Sequence, residues 1–324
     1  MQRKTFVAAL LATLAFSLAW TQAQAQVWPE RPVKMVLSQP AGSGPDAVAR
    51  LIGDRLAKLW GQAVVIENKP GGQNVIGASA VARSTPDGYT FYFATTAALV
   101  TNSYMFKQLP YDPQKDFVEI APIATQPFVL VAGASSGIKS VPDLIAMAKA
   151  KPGQIKFGSA GTGSGTHFCA EKFRLAAGID VVHVPFKGGP EANAAAIAGE
   201  IAYWFPPLAM ALKNVKEGKL LTLGIASAKR SSALPDAPTM AEAGVSLEDA
   251  NWFGVWAPAG ISSGVKDKLA KDVATAVASP DVREQLTKLG AEPMNMIPAE
   301  FSRFVRGEME AAARTAKAAG IKPQ

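Results

Sequence analysis

Two segments of this chain combine glycine, hydroxyl and amide groups in an order suited to chemistry. They are "SQPAGSGPDAVAR" at residues 38–50 and "GSAGTGSGT" at residues 158–166. Each follows a short apolar run and opens into a stretch of helical periodicity, so each reads as a strand–loop–helix turn. The first N–H groups of a helix have no partner inside it. The helix N-terminus carries partial positive charge, and glycine lets backbone amides approach a ligand closely. That combination captures anions. Ser43, Ser159, Thr162 and Ser164 add hydroxyls. Gly42, Gly44 and Ala47 also match the looser form of the dinucleotide fingerprint G-x-G-x-x-G/A, and Glu67 ends the next strand-like run, "AVVIE", about 20 residues on. For either loop alone the plain alternative is an ordinary helix start, which favours Gly, Ser and Asp anyway. Two such loops in matching positions argue for a ligand, because ligands of open α/β sheets bind beyond the carboxyl ends of the strands.

Neither loop carries a nucleophile elbow: G-x-S-x-G needs glycine two residues before the serine, where Ser164 has Thr162 and Ser43 has Ala41. No G-x-x-x-x-G-K-[ST] is present. His167 and His183 form no metal motif with Cys169, so neither metal nor cofactor is expected. Asp46 is the only acid near either loop tip and suits the start of a helix. Cys169, the single cysteine, sits in the apolar periodicity of "THFCAEKFRLAAG" and reads as a small buried residue; no internal disulfide is available.

The elements that position these loops alternate strand and helix along the chain, the pattern of an α/β fold. "VKMVLSQ", "AVVIENK" and "YTFYFAT" read as strands of a first lobe, and "LPYDPQKDF" as a Pro-punctuated connection. The pattern restarts near Pro127 with "FVLVAGA", "QIKFGS", "DVVHVPF", "IAYWF" and "LLTLGIAS". After "ANWFGVWAPAG" the chain is helical, with no third sheet to receive those helices, so they are expected to pack back on the first lobe. The expected division is a lobe 1 of residues 26–125 plus 248–324 and a lobe 2 of residues 126–247.

Residues 1–25 are expected to be an export signal: Arg3 and Lys4, an apolar run over residues 6–20, then "TQAQAQ" with cleavage near Ala25. The run is short for a membrane anchor, for which about 20 apolar residues are needed. Loss of Arg3 and Lys4 lowers the formal charge of +7 by two. The remaining basic residues are scattered, which suits steering of anionic ligands and not nucleic-acid binding. An exported protein also meets little NAD, which weakens the dinucleotide reading.

The blocks "SQPAGSGPDAVAR", "VIENKPGGQNVIGASAVARSTPDGYT", "LPYDPQKDF", "GSAGTGSGTHF", "HVPFKGG", "SAKRSSALPDAPTMAEAG" and "NWFGVWAPAG" together resemble the receptors of tripartite tricarboxylate transporters, the Bug or TctC family. The resemblance implies a two-lobed, type II-like periplasmic-binding-protein fold, each lobe a sheet flanked by helices with the ligand cleft between them. It implies a monomeric periplasmic receptor, not an enzyme, that closes on a small organic carboxylate and delivers it to membrane permease subunits. The ligand carboxylate would lie between two loops. Ser38, Gln39, Ala41, Gly42, Ser43, Gly44 and Asp46 belong to the first. Ser159, Ala160, Gly161, Thr162, Gly163, Ser164, Thr166 and His167 belong to the second. Thr95, Thr96, Thr101 and Asn102 would serve the ligand's far end. Trp204, Phe205 and Pro206 follow "GEIAY", where the family usually has Phe-Asp-Asn after the tryptophan; here it is Phe205-Pro206-Pro207, which disfavours an amino-acid ligand. Aromatic residues at Phe168, Trp204, Phe205, Trp252 and Trp256 would suit a flat acid. A di- or aromatic carboxylate, terephthalate-like, is therefore favoured. Lys187 is expected near the cleft as a solvated lysine. The competing reading is an exported or nicotinamide-dependent α/β enzyme that uses the Gly42-Gly44-Ala47 loop.

Overall fold

The computed structural model describes residues 28–323; the expected signal and its cleavage site at Ala25 lie outside them. The strands in chain order are β1 (Val33–Leu37), β2 (Val64–Asn68), β3 (Thr90–Thr95), β4 (Phe117–Pro127), β5 (Val129–Gly133), β6 (Lys156–Ser159), β7 (Val182–Pro185), β8 (Tyr203–Trp204), β9 (Leu220–Ile225), β10 (Ala250–Pro258) and β11 (Glu292–Pro293). The α-helices are α1 (Gly44–Trp60), α2 (Val75–Ala82), α3 (Thr96–Leu99), α4 (Val141–Ala150), α5 (Gly165–Ala177), α6 (Gly189–Ala198), α7 (Leu208–Lys216), α8 (Ser263–Ala278), α9 (Pro280–Lys288) and α10 (Pro298–Ala318).

The strands form two mixed sheets, ordered β11-β4-β10-β3-β1-β2 and β7-β6-β8-β5-β9. β1 pairs in parallel with both β2 and β3, and β6 with both β7 and β8. β10 runs antiparallel between β3 and β4. The chain leaves the first sheet at Pro127 and enters the second at Val129, so Phe128 is the crossing, a couple of residues beyond the expected 125/126 boundary. It returns between Ile225 and Ala250.

Alternation along the strands sends adjacent residues into different cores. Phe91 and Phe93 of β3 pack with Val48, Ile52 and Leu56 of α1 and Leu269 and Val273 of α8. Tyr92 and Ala94 face the other side, with Ala78 of α2 and Phe301 and Val305 of α10. In the second sheet Phe157, Tyr203 and Phe205 pack with Leu144 of α4 and Cys169 and Phe173 of α5. Trp204 faces α6 and α7, against Ala192, Ala196 and Leu208.

The sequence reading passes over β4. Its "FVEIAPIATQP" carries two prolines, which ordinarily demote a run from strand status. β4 accommodates Pro122 at a register shift opposite Gly254, where two partner positions face one and the ladder loses its regular bonding. The C-terminal helices α8 and α10 pack on β4 of the first sheet, and α10 also reaches α5 of the second lobe. Phe168 of α5 is buried among Val100, Met105, Trp252 and Phe301, so this cluster joins the two lobes.

Candidate functional site

A cavity of about 450 Å³ lies between the sheets. From the first lobe it is lined by Gln39, Gln73, Asn74, Thr95, Ala97 and Asn102. From the second it is lined by residues 160–166, Phe186, Lys187 and Pro207, and Phe128 and Asn251 of the crossings complete it. Apart from Phe128 and Asn251, these positions lie at or beyond the carboxyl ends of β1, β2, β3, β6, β7 and β8. α2, α5 and α7 begin at the cavity, with caps Asn74, Ser164 and Pro207, and Lys187 stands one residue before the cap of α6. Several helix N-termini and one lysine therefore face a cavity with no carboxylate among its lining residues, an electrostatic setting for an anion.

The second loop is built from within. Gly161 and Gly163 hold φ of +121° and +81°, conformations that favour glycine. Ser164 Oγ accepts from the His167 amide and donates to the Gly161 carbonyl, 3.3 and 2.7 Å. Thr166 Oγ1 takes the Ala160 N–H, Ser159 Oγ takes that of Gly161, and His167 Nδ1 takes that of Gly163. The N–H groups of Thr162, Gly165 and Thr166 find no protein acceptor among the described residues. They are the amides this loop can offer a ligand.

Two stacked imidazoles lie beneath the loop. The His167 and His183 rings are 3.9 Å apart and nearly parallel, and His183 Nε2 lies 2.6 Å from Ser159 Oγ. Burial lowers the pKa of His167 to about 3, helped by the His183 charge, and that of His183 to about 4 by burial alone. Both are neutral at pH 7, and Nδ1 of His167 can then accept from Gly163. His167 thus supports the loop and does not line the cavity.

The first loop is arranged differently. Asp46, 2% exposed, accepts from the Gly42 amide at 2.9 Å, from Arg50 Nε at 2.9 Å and from Asn68 Nδ2 at 2.8 Å. Burial on its own would raise the Asp46 pKa; the bonds from Arg50, Asn68 and Gly42 outweigh it and hold the carboxyl below its ordinary range. The helix-start anion position is thereby taken by the protein's own carboxylate. Ser43 caps α1 and bonds Pro40, while Ala41, Gly42 and Gly44 are exposed away from the cavity lining. Only Gln39 of this loop lines the cavity, and its Nε2 donates to Asn74 Oδ1 at 2.9 Å. Ser38 is buried, its hydroxyl between Tyr92 and Asn74.

Thr95 and Asn102 line the cavity. Thr96 faces a neighbouring crevice, where its hydroxyl accepts from the Trp252 amide, and Thr101 Oγ1 donates across the lobes to the Gly163 carbonyl at 3.1 Å. Trp204 and Phe205 are fully buried in opposite cores, and Pro207 lines the cavity where Pro206 does not. Trp252 and Trp256 are buried with Phe301. The aromatic rings at the cavity are instead Phe128 and Phe186. The sequence reading missed Gln73 and Asn74, which adopt φ of +52° and +75° and present amides to the cavity. Their signal was the "PGGQN" loop after β2, where left-handed backbone in non-glycine residues marks an over-determined, often functional, segment.

Two α/β lobes joined by paired crossings around a polar, anion-attracting cavity define a solute-binding protein of the periplasmic-binding-protein fold. The family model described as "Tripartite tricarboxylate transporter family receptor" matches residues 48–321, and the chain belongs to this TctC family of receptors. Among relatives, it is 32% identical to Protein BugT of Bordetella pertussis, over 92% of each chain. Among solved structures, R. palustris Rpa4515 with adipate superposes with a TM-score of 0.83 at 34% identity, over 92% of this chain and 100% of that one. MatC from Rhodopseudomonas palustris with bound malate superposes at 0.77 with 29% identity, over 89% and 99%.

Proposed function

We propose that this protein is a periplasmic receptor that captures a small organic carboxylate between its lobes and delivers it to the membrane permease subunits of a tripartite tricarboxylate-type transporter. The observation that carries the reading is the lobe-spanning cavity whose second loop leaves the amides of Thr162, Gly165 and Thr166 unpaired at the start of α5, with no acid beside them. A carboxylate bound there by lobe 2 recruits Gln39, Asn74, Thr95 and Asn102 of lobe 1. Closure is stabilised by the contacts the closed state adds and no others. Adipate and malate in the family structures support a carboxylate, and the absence of acids at the cavity disfavours a ligand that needs a counter-ion for an ammonium. The aromatic-acid preference loses the side chains that suggested it, whereas a dicarboxylate keeps its support.

The competing enzyme reading needs the first loop to hold a nicotinamide dinucleotide. The Gly42 amide it would use is already bonded to Asp46. Purified protein lacking residues 1–25 is titrated by calorimetry with a panel of mono- and dicarboxylates and with NAD. Heat from at least one carboxylate, and none from NAD, is expected. Silence towards every carboxylate, or turnover of any of them, overturns the receptor reading.

A further inference from the structure

Among the described residues, Lys187 is the only charged side chain that lines the cavity. It makes no ion pair with any of them, although Glu191 lies one helical turn on; that carboxylate takes the Lys187 backbone N–H at 3.1 Å and not its ammonium. A cation left unpaired in an anion cavity invites a role in recognising charge.

Its position relative to the second loop is fixed by the sheet. β6 and β7 pair in parallel with Ser159 opposite Pro185, so Gly161 and Lys187 emerge side by side, each two residues beyond the paired ends. The Phe186 amide donates to the Ser159 carbonyl at 3.0 Å. A Cβ on Gly161 would stand 3.4 Å from the Phe186 carbonyl, so the two segments run in contact. Neighbouring strands lie about 4.8 Å apart, and the four-carbon lysine stem extends the reach, so two anion points on this lobe are separated by roughly 5–10 Å. That span matches the distance between the carboxylates of a short diacid.

We infer that Lys187 is the specificity-determining residue of this receptor: it holds the second carboxylate of a dicarboxylate whose first carboxylate rests on the amides of Thr162, Gly165 and Thr166. Lobe 2 thereby binds both charges, and lobe 1 closes over the spacer with uncharged amides and hydroxyls. The inference rests on the receptor reading above and deepens it.

The test compares matched pairs by calorimetry: succinate with butyrate, adipate with hexanoate, terephthalate with benzoate. At least one diacid is expected to bind about tenfold or more tighter than its monoacid, the scale of one hydrogen bond to a charged group. Lys187→Gln is expected to remove that advantage while the monoacid affinity changes less than about twofold. Lys187→Arg keeps the charge and is expected to retain most of the preference. The diacid affinity of the wild type should also weaken with added salt more steeply than that of Lys187→Gln. Monoacids that bind as tightly as their diacids overturn the inference and leave the receptor reading standing. So does a Lys187→Gln protein that loses both ligands equally, which would give Lys187 a structural part in the loop. If no acid of either kind binds, both readings fall.

Discussion

Replacing Gly163 by alanine tests whether the second loop is held by the geometry described above. Gly163 has φ +81°, a conformation that costs an L-residue about 1–2 kcal/mol. Its new Cβ would lie 2.6–2.7 Å from Cγ, Cε and Sδ of Met105, a buried residue of the first lobe. Displacing Met105 from a close-packed cluster adds about 1–3 kcal/mol, for a total of roughly 2–5 kcal/mol. The same displacement strains the Thr101-to-Gly163 bond between the lobes, so ligand affinity should fall too. Met105→Ala on its own leaves a cavity worth about 2–5 kcal/mol. In the double variant the clash is gone while the φ strain remains, so the two losses should fall short of additivity by about 1–3 kcal/mol. Urea unfolding of the four proteins reads this directly. Additivity within about 0.5 kcal/mol would refute the packing contact. A Gly163→Ala cost below about 0.5 kcal/mol would refute the left-handed loop.

Three further outcomes follow from the site. His167 and His183 are held neutral, so the unfolded chain takes up protons first; their stabilisation is complete above pH 6.5 and declines as pH falls towards about 4 and 3. At about 1.4 kcal/mol per pH unit and group, a loss of roughly 2–4 kcal/mol between pH 7.5 and 5 is expected in urea unfolding, and His183→Gln should remove about half of it. A flat profile over that window contradicts the buried stack. Asp46 has a depressed pKa, so its contribution is present above the unfolded value near 3.9 and fades as pH falls through the lower folded one. Asp46→Ala should therefore cost roughly 2–4 kcal/mol at pH 7 by removing the carboxylate that accepts from Arg50 Nε, Asn68 Nδ2 and the Gly42 amide, with the gap from wild type narrowing below pH 4; a surviving gap at pH 2 argues against charge as the source. Phe205→Leu should cost about 1–2 kcal/mol of stability and leave carboxylate affinity within twofold, and a large affinity loss without destabilisation would return Phe205 to the site.

Much of this protein is written locally. The strand–loop–helix units are legible because alternation, helical spacing and capping act over a few residues: Ser43 and Ser164 cap the helices their spacing announces, and Gly61 and Gly178 end them in left-handed turns. The second loop is legible as a candidate anion site for a related reason, since the first amides of a helix have no partner inside it. The sequence alone does not decide which loop amides remain available. Both loops read alike, yet Asp46 is drawn onto the Gly42 amide by Arg50 and by Asn68, a residue from another strand, while the second loop has no acid to fill it. Nor could it tell which aromatic residues face the cavity, because adjacent residues of a strand diverge to opposite cores once the sheet is covered on both sides. That is where Trp204 and Phe205 went. The cavity's own members, Gln73, Asn74, Phe186 and Lys187, come together only because strands distant in sequence pair in register and end on one rim. Local chemistry determined the parts; long-range pairing decided which of them face each other.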